Sequence, residues 1–107
     1  MKYFVSASGG PGFASPEEAL KILEKIVIPS FETLMKLEGE KKILGGGLPV
    51  GERSFVFIME ASSSEELDEV LRKIPMWGSL DWEVTPLVSF GSRAATERQA
   101  VKELKKA

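Results

Sequence analysis

The amino-acid sequence predicts an α+β domain with a four-stranded antiparallel sheet, its elements in the order β-α-β-β-α-β with one further helix at the C-terminus. Three observations lead there. Two segments, Ser15-Pro16-Glu17-Glu18 and Ser62-Ser63-Ser64-Glu65-Glu66, carry helix-start chemistry ahead of apolar residues at helical spacing. Segments of strand-like composition flank them in the required order. The best of these, Arg53-Ser54-Phe55-Val56-Phe57-Ile58-Met59-Glu60-Ala61, is apolar on both of its alternating faces.

Residues 2–8, with Tyr3, Phe4 and Val5, read as the first strand, ended by Gly9-Gly10-Pro11-Gly12. Ser15 caps the first helix, Pro16 suits its first position and Glu18 completes a capping box. Leu20, Leu23, Val27, Phe31 and Leu34 give this helix an apolar face. Pro29 lies inside it and must kink or divide it, and Gly39 is a natural end. Residues 40–45 form a short second strand, and Gly45 to Gly51 read as a turn or loop. The strand over 53–61 follows. The second helix carries Leu67, Val70, Leu71 and Ile74 and stops at Pro75. Residues 80–90 are the last strand, with Pro86 expected at an edge, a bulge or the strand's end. The tail from Ser92 has Ala100, Val101 and Leu104 on one side of a helix. The expected organisation is one domain over residues 1–91 and a helical extension over 92–107. This order is that of the ferredoxin-like split βαβ fold.

Composition narrows function by exclusion. The chain has 107 residues, 43% hydrophobic and 28% charged, ordinary for one small domain. Its 14 Lys and Arg against 16 Asp and Glu give a net charge of −2, without the basic surplus of a nucleic-acid binder. There is no Cys and no His, which removes thiolate and imidazole chemistry and the commonest metal ligands. An axial His for haem is likewise absent. Any proton transfer falls to Asp, Glu, Lys, Tyr or Arg. No apolar run approaches the roughly 20 residues that span a bilayer. The expectation is a cytoplasmic protein that binds neither membrane nor nucleic acid and needs no cofactor.

The strand over 53–61 bears on assembly. Phe55, Phe57 and Met59 point to one face, and Val56 and Ile58 to the other. Two helices cover one face of such a sheet. The other face is expected to meet a second copy of the chain, making a homo-oligomer, unless the C-terminal helix folds back over it. Small chains also gain core by association.

Glycine-rich segments give no nucleotide site. Gly10-Pro11-Gly12 lacks the third glycine of a dinucleotide loop, because Ser15 holds that place. Gly46 and Gly51 have phosphate-loop spacing, but Glu52 and Arg53 follow in place of Lys and Ser or Thr. The candidate catalytic and anion-binding residues are Glu60, Arg53 and Tyr3. Glu60 is a carboxylate in an apolar strand, where desolvation can raise a pKa, though a place at the strand's rim serves it equally. Phe55, Phe57, Met59, Trp77 and Trp82 are the candidate lining of a pocket for a small organic ligand, or else plain core.

The segments Ser64-Glu65-Glu66-Leu67-Asp68-Glu69-Val70-Leu71, Ile74-Pro75-Met76-Trp77 and Asp81-Trp82-Glu83-Val84-Thr85-Pro86-Leu87 resemble the muconolactone isomerase family. The resemblance is closest over residues 54–88 and implies a ferredoxin-like dimeric α/β barrel and a cofactor-free proton shift on a small unsaturated molecule. The family's pattern departs at two places. Its second strand and following turn are rich in Trp, Arg and His, where this chain has Glu40 to Gly47. Its first-helix Glu falls near Ile28. The leading reading is a muconolactone-isomerase-like protein of altered chemistry. Its rivals are a non-catalytic binding or structural oligomer and, by fold analogy alone, a cofactor-free monooxygenase or polyketide-processing protein.

Overall fold

The computed structural model describes residues 1–107. Strand β1 (Lys2–Gly9) leads to helix α1 (Pro16–Ile22), a π-helical turn (Leu23–Val27) and helix α2 (Ile28–Gly39). Strands β2 (Ile43–Gly47) and β3 (Ser54–Glu60) form a hairpin. Helix α3 (Ser64–Arg72), a short 3₁₀ turn (Trp77–Ser79), strand β4 (Leu80–Leu87) and helix α4 (Phe90–Lys106) complete the chain. The sheet order is β2-β3-β1-β4, with every pairing antiparallel. This is the ferredoxin-like arrangement that the element order predicts. No helix is long and apolar enough to cross a membrane.

Local chemistry explains the helix starts. Ser15 caps α1 by accepting the Glu18 N–H, while Glu18 Oε2 accepts the Ala14 N–H at 2.9 Å. Ser63 caps α3 in the same way, and Glu66 accepts from the Ser62 N–H and hydroxyl. Pro29 divides the first helix as expected, and the π turn is how it does so. The Ile28 N–H reaches Leu23 O, five residues back, so α2 starts afresh with the proline at its first turn.

The π turn also changes which residues are buried. An inserted residue shifts helical phase by about 100°, so α1 and α2 do not share one apolar stripe. Leu20 and Leu23 remain exposed, and α1 buries no residue. From α2, Leu37 and Ser30 are buried, with Phe31 and Leu34 packed beside them. The helix ends at Gly39 as expected, but Lys41 rather than Gly39 holds the C′ position. Lys41 takes the left-handed conformation at φ 61°. Its N–H donates to Glu38 O and that of Lys42 to Leu37 O, a Schellman closure with lysine in the usual glycine position.

The second strand differs from expectation. It runs through Ile43 to Gly47, not 40–45, so the glycines anticipated as loop are strand residues. A register shift between Ile43 and Gly45 bulges it. The turn proper follows, with Glu52 N–H donating to Pro49 O and Gly51 at φ 82°, the type II pattern.

One face of the sheet holds the core. Tyr3, Val5 and Ala7 from β1 and Phe55, Phe57 and Met59 from β3 pack against Leu37, Leu67, Leu71, Ile74 and Met76. The other face is uncovered. Its apolar patch is Phe4, Val56 and Ile58, but register places Ser6 beside Val56 with Glu83 beyond Ser6, and Thr85 beside Phe4. The apolar second face expected from β3 therefore holds for β3 and thins toward β4. Helix α4 does not fold back over it. No residue of α4 is buried, and its hydrogen bonds and its Arg93–Glu97 ion pair stay within the helix and its cap. The radius of gyration is 18.7 Å and the longest extent 71 Å, against about 13 Å for a compact chain of this length.

Candidate functional site

The residues singled out from the sequence lie in three places. Arg53 precedes β3 at one end of the sheet, and Glu60 ends β3 at the other. They are seven positions apart along an extended strand, about 23 Å. Glu60 is exposed and accepts from the Met1 ammonium at 3.3 Å. Tyr3 is near Glu60 in register but faces the helices, and it is 1% exposed. Its hydroxyl lies 3.3 Å from Ser64 Oγ, at the edge of a cleft that Asp68 also lines. The fold thus does not bring Arg53, Glu60 and Tyr3 together, because neither strand alternation nor strand length allows it.

The aromatic candidates divide similarly. Phe55 is the centre of a ring cluster, edge-on to Phe31 at 6.3 Å and to Trp82 at 5.9 Å and stacked on Phe57 at 6.1 Å. Phe55 and Phe57 line a cleft. Met59 is fully buried core. Trp82 donates its indole N–H to Trp77 O at 3.0 Å, pinning the 3₁₀ turn to β4. Arg72 lies over the Trp77 ring at 4.4 Å on the outside of the domain.

The site that the fold builds lies at the Arg53 end, between the helix layer and the sheet. One cleft, of about 260 Å³, is walled by Leu23, Val27 and Phe31 from the helices, Phe13 and Leu48 from loops, and Phe55, Met76 and Leu80 from below. Gly9, Gly10 and Pro11 form its rim with Glu52 and Arg53. Each rim residue has a structural reason to be there. Gly9 and Gly10 adopt φ 92° and 113°, which turns the chain out of β1. Gly9 N–H then donates to Arg53 O and Gly10 N–H to Ser79 O. The Arg53 Nη2 donates to Pro11 O at 3.0 Å, and Arg53 pairs with no carboxylate. Glu52 Oε2 accepts from the Ser54 hydroxyl at 3.2 Å. Among its lining residues Arg53 is the only cation and Glu52 the only acid.

A second cleft, of about 220 Å³, lies against the first and shares Phe31, Leu48 and Phe55 with it. Leu34 and Met35 of α2 wall it, and Glu38 is its one charged residue. Gly46 and Gly47 of β2 contribute no side chains to it. No cluster of three or more acidic, His or Cys side chains gathers to hold a metal. An anchored guanidinium beside a carboxylate on an aromatic-walled cleft can hold an organic anion and exchange a proton with it.

Sequence reasoning missed Glu52, Phe13 and Leu48, because loop residues carry no periodicity. The one available signal was the rise of the π turn forced by Pro29, since such turns recur at functional sites.

A search of curated proteins found no match. Among solved structures, the crystal structure of muconolactone isomerase at 3.3 Å resolution is similar, with a TM-score of 0.70 and 20% identity over 83% of this chain and 90% of that one. The 5-chloro-2-hydroxyhydroquinone dehydrochlorinase TftG from Burkholderia phenoliruptrix AC1100, in complex with 2,5-dihydroxybenzoquinone, matches with a TM-score of 0.62 and 19% identity. That match covers 86% of this chain and 98% of the other. At such identities the likeness is one of fold. The family model for muconolactone delta-isomerase matches residues 23–93, from the π turn to the start of α4. The chain belongs to the muconolactone delta-isomerase family.

Proposed function

We propose that this protein processes a small organic anion in the cleft at the Arg53 end of the sheet, by a proton shift that needs no cofactor. The observation that carries the reading is Arg53, a guanidinium without a carboxylate partner at the mouth of an aromatic-walled cleft. Arg53 binds the anionic group. Glu52, on the same rim, removes a proton from one carbon and returns it to another, so the double bond moves and nothing is oxidised or reduced. In this reading the proton-transfer role passes from Glu60 and Tyr3, at the far end of the sheet, to Glu52. Phe55 contacts the ligand and Phe57 lines the adjoining cleft, while Met59, Trp77 and Trp82 hold the frame.

The test is a proton-exchange assay on muconolactone in deuterated water, followed by NMR. Isomerisation or deuterium incorporation that is lost in Glu52→Gln supports the reading. Turnover unchanged in both Glu52→Gln and Arg53→Gln refutes it.

A second reading, a binding protein on the same fold, is favoured by one observation: Glu52 and Glu38 are both exposed. A carboxylate open to bulk water does not shield a reacting proton from the solvent. Binding of muconolactone without isotope exchange decides for it.

The uncovered sheet face supports association with a second copy. Phe4, Val56 and Ile58 form an apolar patch, with Leu87 at its end in β4. Helix α4 is 17 residues long without a buried face, near the length at which isolated helices are marginal in water. Packing on the partner stabilises both.

A further inference from the structure

We propose that the two adjoining clefts form one channel for an elongated amphipathic acid, an alkyl- or aryl-substituted aromatic carboxylate. Its carboxylate sits at Arg53 and its apolar tail runs beneath α2 toward Ile43. The inference rests on the reading of Arg53 as the anion-binding group and adds the class of ligand.

Volume and polarity both favour a ligand longer than one ring. An apolar cavity of about 150 Å³ holds a benzene ring. The Arg53 cleft, at about 260 Å³, is therefore enough for a one-ring acid. A ligand of that size leaves the second cleft, about 220 Å³, as water held against Leu34, Met35 and Phe57. The two clefts meet at Phe31, Leu48 and Phe55, which line both, so only apolar side chains stand between them.

The second cleft is open for a stated reason. At Gly46, φ is 156° and an added Cβ would meet Val56 O at 2.3 Å and Phe57 Cβ at 2.6 Å. The β2 backbone thus lies directly on β3 at Gly46, and beyond Leu44 the strand's three glycines place no side chain in the space below α2. Charge is arranged to match, with the cation at one end and Glu38 alone at the other. Glu52 shares the Arg53 rim, but a carboxylate finds a countercharge only at that end, so the acid binds with its carboxylate at Arg53 and its tail toward Glu38.

The test measures binding of benzoate and its 4-ethyl, 4-butyl and 4-hexyl derivatives to the full chain by calorimetry at fixed salt. Affinity should rise about three- to fourfold per added methylene through the butyl compound. Arg53→Gln should weaken every acid in the series, and Met35→Trp, which narrows the far half, should flatten the rise. The amide 4-butylbenzamide should bind more weakly than 4-butylbenzoate. Equal affinity across the series, with benzoate still dependent on Arg53, overturns the channel and leaves the anion site. Binding indifferent to Arg53→Gln, or no binding of any acid, overturns the reading beneath it as well.

Discussion

The Ser30 hydroxyl donates to Ile26 O at 2.7 Å and accepts the Met76 backbone N–H at 3.0 Å. Ser30 is the one buried polar residue of the domain. It ties the first turn of α2, just past the π segment, to the turn that follows α3. Ile74 and Met76 of that turn are both in the core, so the Ile74-Pro75-Met76-Trp77 segment joins the two helices that cover the sheet.

Ser30→Ala should therefore destabilise the protein by about 1–3 kcal/mol, because the Met76 N–H is left buried without a partner. Urea unfolding measures this. A change below a few tenths of a kcal/mol would mean that the bond is not a tie between the two elements.

Two glycine substitutions should act with opposite signs. Lys41 occupies the left-handed helix-end position at φ 61°, where a side chain costs about 1–2 kcal/mol that glycine avoids. Against the greater backbone entropy of glycine, Lys41→Gly should stabilise by about 0.5–1 kcal/mol. Gly46→Ala forces β2 away from β3 and should destabilise by about 2 kcal/mol or more. Thermal melts of both variants check the signs.

Much of the architecture was legible because its signals are local. Ser15 and Ser63 cap where their sequences say, and the strand alternation of Phe55, Phe57 and Met59 sets the core face. The glycine strand was hidden because Gly45, Gly46 and Gly47 have no side chains to declare a face. Leu20 and Leu23 misled because the π turn breaks the helical phase. The site was least legible. Arg53 was identifiable as a cation beside an apolar strand, but its neighbours Phe13, Leu48 and Glu52 reach the cleft only through loop geometry. Glu60 drew attention by residue type, and the length of one strand takes it to the far end of the sheet.

The hydrogen bonds that Glu66 accepts from the Ser62 hydroxyl and N–H hold its carboxyl below the usual value of 4.5, with Lys42 adding to the effect. A lowered carboxyl stabilises the folded state above its unfolded-state pKa, and the contribution is lost as pH falls through the folded-state value. Wild type should thus exceed Glu66→Gln in stability at neutral pH, with the gap closing as pH falls below about 4.5. A gap that stays constant from pH 7 to pH 3 would contradict this.

The sheet face makes a separate prediction. Ile58→Lys places a charge in the apolar patch of Phe4 and Val56 and should turn an oligomer into a monomer by light scattering, with the fold retained by circular dichroism. A wild-type chain that is already monomeric at micromolar concentration would contradict association through this face.

The central claim is that ligand chemistry belongs to the Arg53 end of the sheet. Amide chemical-shift mapping of the isotopically labelled full chain with benzoate tests it most directly. Saturable shifts are expected at Gly9, Gly10, Glu52 and Arg53, with Lys2, Glu60 and Ser64 unmoved. Shifts confined to Tyr3, Glu60 and Ser64 would contradict it and return the site to the opposite end of the sheet.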